Sequence, residues 1–342
     1  MTLIIYLTLL CLISFVLYDV FKTVLSTKGS GPVTGFWSKH LWRLSLWVHY
    51  KKHNQWLIKK VGPVMLVLIF FIWYGLLNIC WFFLFSQNEF SIKNSNDPDI
   101  GLLDIFYYVG STFSTLGLGD YTPNGFPWTL ATTFGAFIIS VITSAAISYI
   151  VPVLSAVVSR RVVITQLDSL RAATQDFEII FDGEDKSLFQ QKIMDAVGNC
   201  VEESYKARVY PVLLYFHYDE NISSMNGSLI SILDTIALQA AQNDTHAPTS
   251  IYIINSMQRY CDNLRDIRRT WNKSLQIDQE EFTSQFSQNQ TDNFALGQFS
   301  LKDLAQLRKN LVLLCHLEGY CPMTEPNKLS FKNSLESKVQ HL

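Results

Sequence analysis

The first 160 positions are dominated by three long apolar runs, each able to cross a bilayer as a helix, since about 20 apolar residues suffice. The first, Leu3 to Leu25, is broken by charge only near its far end, at Asp19 and Lys22. Residues 62 to 86 form the second, opened by Gly62-Pro63 and holding Asn78 as its one strongly polar residue. The third starts after Pro127, runs from Trp128 to about Val158 and closes on Arg160-Arg161. Between the second and third lies Leu102 to about Ser114, apolar and aromatic but too short to span. That length suits a helix that enters the membrane and turns back. An Asn in lipid needs a partner, so Asn78 is expected to face a neighbouring helix.

Beyond residue 160 the pattern changes. Apolar positions recur at three and four residues in Val163 to Phe177, Leu188 to Val209, Ser228 to Ala241, Ile251 to Trp271 and Leu301 to Leu317, the period of helices with one buried face. Polar or turn-rich breaks separate them at Asp182-Gly183-Glu184, Asn221 to Gly227, Gln242 to Ser250 and Thr283 to Gln298. The expected fold is an all-α membrane protein. It has three transmembrane helices, a re-entrant helix and an all-helical cytoplasmic domain. The boundaries are 1–27 for the N-terminal span, 28–60 for a basic and aromatic segment, 61–160 for the re-entrant unit with its two spans, and 161–342 for the helical tail.

Charge sets the orientation. Ser26 to Lys60 holds Lys28, Lys39, Arg43, Lys51, Lys52, Lys59 and Lys60 with no Asp or Glu, which places it on the cytoplasmic side and the N-terminus outside. The first run lacks the basic start, short apolar core and small-residue cleavage site of a secretory leader, so it is expected to be retained. Trp37, Trp42, Trp47 and Trp56 are interleaved with those cations, as in a helix lying at the headgroup level against anionic lipids through residues 37–60. A helix packed under the membrane unit is the competing reading. Gln87 to Asp104 is acidic, either to raise the local cation concentration or as a solvated outer loop. The expected location is the plasma membrane, of a bacterial inner-membrane kind.

Composition narrows the functional classes. Of the chain's 342 residues 49% are hydrophobic, and nine of its 27 Lys/Arg but six of its 29 Asp/Glu fall in residues 1–159, so a mildly basic membrane half joins a mildly acidic tail. No long basic block marks nucleic-acid binding. Cys315 and Cys321 flank His316, but with no further ligands nearby core packing is the expected role. No nucleophile, paired-acid or phosphate-loop constellation is visible, so neither an enzymatic activity nor a cofactor is expected. His217, in the apolar stretch Tyr210 to His217, is expected to be packed or at the surface rather than a pH sensor.

The chemistry concentrates in Ser111-Thr112-Phe113-Ser114-Thr115-Leu116-Gly117-Leu118-Gly119-Asp120-Tyr121-Thr122-Pro123, after the half-length helix and before the third span. Two glycines one residue apart permit backbone dihedrals that side chains forbid, so successive carbonyls can turn to one side. Thr-x-Gly-x-Gly-Asp in this setting resembles the signature of the potassium-channel pore family, whose usual form is Thr-Val-Gly-Tyr-Gly-Asp. The resemblance implies a selectivity filter in which Thr115, Leu116, Gly117, Leu118 and Gly119 bind K⁺ through stacked carbonyls and the Thr115 hydroxyl. It also implies that the short helix aims its negative end at the pore. Tyr107, Tyr108, Ser111 and Asp120 would support the filter. Leu118 departs from the family's Tyr or Phe and removes a polar tether, which opens the way to Na⁺. The Gly-Leu-Gly form is similar to the second pore loop of some two-pore-domain potassium channels, and the three-span layout resembles bacterial relatives of that group. A single motif per chain then requires a homotetramer.

In the third span Ser140, Thr143 or Ser144, and Ser148 recur at helical spacing, either lining a wet cavity or packing against a neighbour. Pro152 removes the amide that would bond the Ser148 carbonyl and predicts a bend near the inner mouth, the first choice for a gate. Gly135 is a second candidate hinge, with close packing as its other explanation. Neither a nucleotide-binding glycine motif nor a helix with Arg or Lys at every third position is present.

Overall fold

The computed structural model describes residues 2–26, 29–52, 55–94, 100–173, 186–217, 224–242, 248–265 and 296–318. The breaks expected at Asp182-Gly183-Glu184 and over most of Thr283 to Gln298, and Cys321, lie outside these residues. The chain divides into two compact units, Met1–Val48 with Val61–Leu154, and His49–Lys60 with Ser155–Leu342.

The elements of the first half are α1 (Thr2–Leu25), α2 (Pro32–Lys52), α3 (Gln55–Ser86), β1 (Ile92–Asn94), α4 (Leu102–Phe113), β2 (Tyr121–Pro123) and α5 (Trp128–Ala173). Among the described residues three helices are long and apolar enough to cross a membrane, over Leu3–Leu25, Lys59–Ser86 and Trp128–Ala173. The protein is therefore helical with three candidate spans. At 1.5 Å per residue α5 is about 69 Å long, more than twice a hydrocarbon core of about 30 Å. It passes through Pro152 and through Arg160-Arg161 without a break.

In the first unit α4 lays Ile105, Tyr108, Val109 and Phe113 into the core. Phe113 meets the edge of Trp81 at 5.7 Å between centroids, and Phe85 meets Tyr108 and Trp128, both at 5.4 Å. Such offset and edge-on pairs are the preferred aromatic geometries. The start of α4 is tied by Asp104, whose carboxylate accepts the Gly101 N–H and the Tyr121 hydroxyl, both at 2.8 Å. Tyr121 belongs to β2, which pairs antiparallel with β1 through Ile92↔Pro123, Lys93↔Thr122 and Asn94↔Tyr121. The amide of the half-buried Asn78 donates to the Tyr74 carbonyl one turn earlier in α3 (2.8 Å), so one of its N–H groups is held within its own helix.

The second unit contains the end of α5 with α6 (Lys186–Val209), a 3₁₀ turn (Pro211–Tyr215), α7 (Met225–Gln242), α8 (Pro248–Asn263) and α9 (Leu301–Leu317). Here α6 packs on α8 and α7 on α9, around Leu167, Ile193, Val197, Leu213, Leu233, Met257, Tyr260, Leu304 and Leu311. Ser300 caps α9: its hydroxyl accepts the Asp303 N–H (3.3 Å), while Asp303 Oδ2 accepts the Ser300 amide at 2.9 Å and its hydroxyl at 2.7 Å. This reciprocal capping box is why the helix starts at Leu301. Arg160 is 3% exposed and ion-paired with the buried Glu318. Burial pushes the Glu318 carboxyl up, against the pull of Arg160. One residue earlier, Ser159 Oγ donates to Glu203 Oε1 at 2.6 Å and accepts from Lys206 Nζ at 2.8 Å. The Cys315 thiol is buried 3.1 Å from Ser224 Oγ, as expected for core packing, and His217 Nδ1 lies 3.3 Å from the Glu318 carbonyl.

Candidate functional site

The site is built where α4 ends. Ser114 closes the helix, and Thr115 follows with φ 63°, in the left-handed region. The Thr115 N–H donates to the Thr112 carbonyl (3.2 Å) and the Leu116 N–H to the Ser111 carbonyl (3.0 Å). These are the two crossed bonds of a Schellman helix end, a position usually filled by Gly. Gly117 N–H adds a third bond, again to Ser111 O, at 3.1 Å. A trans peptide sets each C=O opposite the next residue's N–H. With the amides of Thr115, Leu116 and Gly117 all drawn back to the helix end, the carbonyls of Ser114, Thr115 and Leu116 turn away from it together.

The sign of φ then alternates along the chain. It is positive at Thr115 (63°), Gly117 (54°) and Gly119 (83°), and not at Leu116 or Leu118. An added Cβ at Gly117 or Gly119 would meet nothing within 4 Å, so dihedrals rather than space require glycine there. No described residue donates a hydrogen bond to the carbonyls of Thr115, Leu116, Gly117 or Leu118. The whole stretch Ser114 to Asp120 is exposed in the single chain, Leu116 and Leu118 by 62% each.

The sequence-predicted supports gather around this stretch. The Tyr108 hydroxyl shares a 2.6 Å hydrogen bond with Thr132 Oγ1, fixing α4 to α5. Tyr107 stands edge-on to Tyr121 at 5.8 Å. Asp104 is held below the usual carboxylate range by the Gly101 amide and the Tyr121 hydroxyl. The Ser111 carbonyl is the acceptor around which the turn forms, and its hydroxyl donates to Tyr108 O at 3.1 Å.

The hinge candidates separate. A Cβ on Gly135 would stand 2.5 Å from Phe113 Cζ and 3.1 Å from Trp81 Cε2, so this glycine lets α5 approach the end of α4 closely. Ser148 and Pro152 lie further along α5, about 20 and 26 Å past Gly135 at 1.5 Å per residue. Ser140, Thr143 and Ser144 each donate to the carbonyl four residues earlier, at 2.9 to 3.0 Å. Among the described residues no cluster of His, Cys, Asp or Glu is arranged to hold a metal. Sequence reasoning passed over Thr132 and the Asp104–Tyr121 pair. Asp104 falls three residues after Gly101, the residue that caps α4, and that spacing was a usable signal.

No family model matches the chain, and no solved structure matches it. The chain is similar to the uncharacterized membrane protein YdjJ of Bacillus subtilis (strain 168), with 24% identity over 207 residues. The match covers 60% of this chain and 60% of that protein.

Proposed function

We propose that the chain is one subunit of a homotetrameric channel of the potassium-channel pore type, passing K⁺ through carbonyl oxygens of the Thr115–Gly119 stretch. The observation that carries this reading is the run of unbonded, exposed carbonyls with alternating φ at the end of a short helix. Unpaired backbone acceptors are costly in a membrane unless they meet protein, water or an ion. Oxygen ligands stacked along a narrow path suit a hard alkali cation, and four copies would complete each ring. The exposed apolar residues Leu103, Phe106, Phe134 and Phe137 supply surface for the copies to bury. On this reading the pore hairpin and N-terminus face outward, the helical unit is cytoplasmic, and α2 meets anionic headgroups. The chain then moves ions down their gradient and catalyses no reaction, with a gate near Pro152.

A second reading rests on Leu118. Its exposed side chain brings no polar group to hold its carbonyl in place, which favours a cation channel that does not separate K⁺ from Na⁺. The test is Rb⁺ uptake into proteoliposomes, abolished by Gly117→Asp, followed by reversal potentials with K⁺ outside and Na⁺ inside. A reversal potential near zero sustains the non-selective reading. Absence of flux at every voltage, pH and calcium level refutes the channel and leaves a membrane receptor or scaffold.

A further inference from the structure

Asp19 is a carboxylate inside an apolar helix, six residues before the end of α1, and it is fully buried. Such a group is costly in a span unless it is paired. Here four donors converge on it. Val33 N–H lies at 2.7 Å, Thr34 N–H at 3.2 Å, Thr34 Oγ1 at 2.6 Å and Trp73 Nε1 at 2.9 Å. Pro32 opens α2 without an N–H of its own, so the first two amides of that helix both end on the α1 carboxylate. The positive end of the α2 dipole faces the same anion. Gly31 is required beside it, because a Cβ there would overlap the carboxylate, and the Gly31 N–H donates to Thr23 Oγ1 at 2.9 Å. One side chain therefore joins α1, α2 and α3.

The two faces of α2 differ. Thr34, Ser38, Trp42 and Ser45 are buried, while Phe36, Trp37, Lys39, His40 and Leu44 are exposed. The exposed face combines aromatic rings with cations in a segment that contains no acid from Ser26 to Lys60. That composition complements an anionic lipid surface. On α3, Trp73 lies eight residues before Trp81, whose ring packs against Phe113, the last residue of α4.

We infer that Asp19 is the positioning residue that locks α2 to α3, and that anionic phospholipid headgroups on the Phe36–Trp37–Lys39–His40 face act through this lock on the end of α4. The lipid half of this inference rests on the channel reading; the lock does not. Full-length wild type, Asp19→Ala, Thr34→Val, Trp73→Phe and, for flux alone, Lys39→Gln are placed in phosphatidylcholine vesicles with and without phosphatidylglycerol. Amide exchange over residues 29–36 and Rb⁺ flux are then measured. Asp19→Ala speeds exchange at Val33 and Thr34 about ten- to a hundredfold, the factor for losing a hydrogen bond to a charged group. Thr34→Val and Trp73→Phe, which keep amide bonds to Asp19, give smaller increases and report on the lock if Asp19→Ala does not fold. Wild-type flux differs several-fold between the two vesicles, and Asp19→Ala or Lys39→Gln removes the difference. Unchanged exchange in all three variants overturns the lock. Equal wild-type flux in the two vesicles, or a lipid response that survives Asp19→Ala, overturns the lipid coupling. No wild-type flux in either vesicle refutes the channel reading and the coupling with it, while exchange still decides the lock.

Discussion

Gly135→Ala is the substitution whose cost can be worked from distances. The new Cβ would stand 2.5 Å from Cζ and 2.8 Å from Cε1 of Phe113, a rigid ring 3% exposed, with Trp81 behind it at 3.1 Å. Overpacking of this kind costs about 1–3 kcal/mol, against a helix-propensity gain of about 1 kcal/mol for Ala over Gly. The net loss is therefore about 0–2 kcal/mol. A control removes the propensity contribution. Gly75 is also helical, and a Cβ there meets nothing within 4 Å, so Gly75→Ala gains the same propensity with no clash. The difference between the two variants isolates the clash and should reach about 1–3 kcal/mol by unfolding in detergent. Because Phe113 is the last residue of α4, its displacement also shifts the Ser111–Gly117 turn, and Rb⁺ flux through Gly135→Ala should fall while Gly75→Ala conducts as wild type. Equal stability of the two variants would refute the close approach. Equal flux with unequal stability would refute the link from Phe113 to the Ser111–Gly117 turn.

In the Thr115–Gly119 stretch, Gly117→Ala places a side chain at φ 54° with nothing within 4 Å in the single chain, so it should cost only about 1–2 kcal/mol of backbone strain yet, if the proposed function holds, sharply reduce Rb⁺ flux with no change in far-UV circular dichroism. In the helical unit, Ser300→Ala should cost about 0.5–2 kcal/mol through loss of the α9 cap, seen as faster amide exchange at its first turn. Asp303 is held below the usual carboxylate range first by the Ser300 hydroxyl and then by its amide. Its folded value is depressed, so its stabilisation is present above the unfolded value and lost as pH falls through the folded one; Asp303→Asn should flatten that acid limb of the unfolding profile. Glu318 carries the opposite sign. Burial raises its folded value, so its contribution is present below the ordinary carboxylate range and lost as pH rises through the folded value. Arg160→Met alone should cost about 3–5 kcal/mol by stranding a buried carboxylate, and the Arg160→Met/Glu318→Leu pair much less; equal losses in chemical unfolding would refute the buried pair.

Periodicity made much of the helical layout of this chain legible in the sequence. Three long apolar runs, the first broken by charge only at Asp19 and Lys22, marked the three helices that are long and apolar enough to cross a membrane, and the predicted α9 matches the observed Leu301–Leu317 residue for residue because Ser300 and Asp303 mark its start locally. The Thr-x-Gly-x-Gly-Asp spacing marked the stretch whose backbone alternates in φ, since glycines one residue apart permit the positive dihedrals that side chains disfavour. Other facts depended on distance in sequence. Asp19 looked like a flaw near the end of a span, and only the approach of Val33, Thr34 and Trp73, the last 54 residues away, shows what satisfies it. Arg160 looked like a border charge until Glu318, 158 residues on, closed over it. Asn78 shows a local case, with one N–H held by the Tyr74 carbonyl in its own helix turn. Gly135 was a candidate hinge in the sequence, with close packing the commoner reason for such a glycine, and the Phe113 ring beside it shows why a side chain does not fit. Local signals determine which segments become helices and where they start. Which buried polar group meets which donor is set by packing between segments far apart in the chain, and that only the tertiary structure decides.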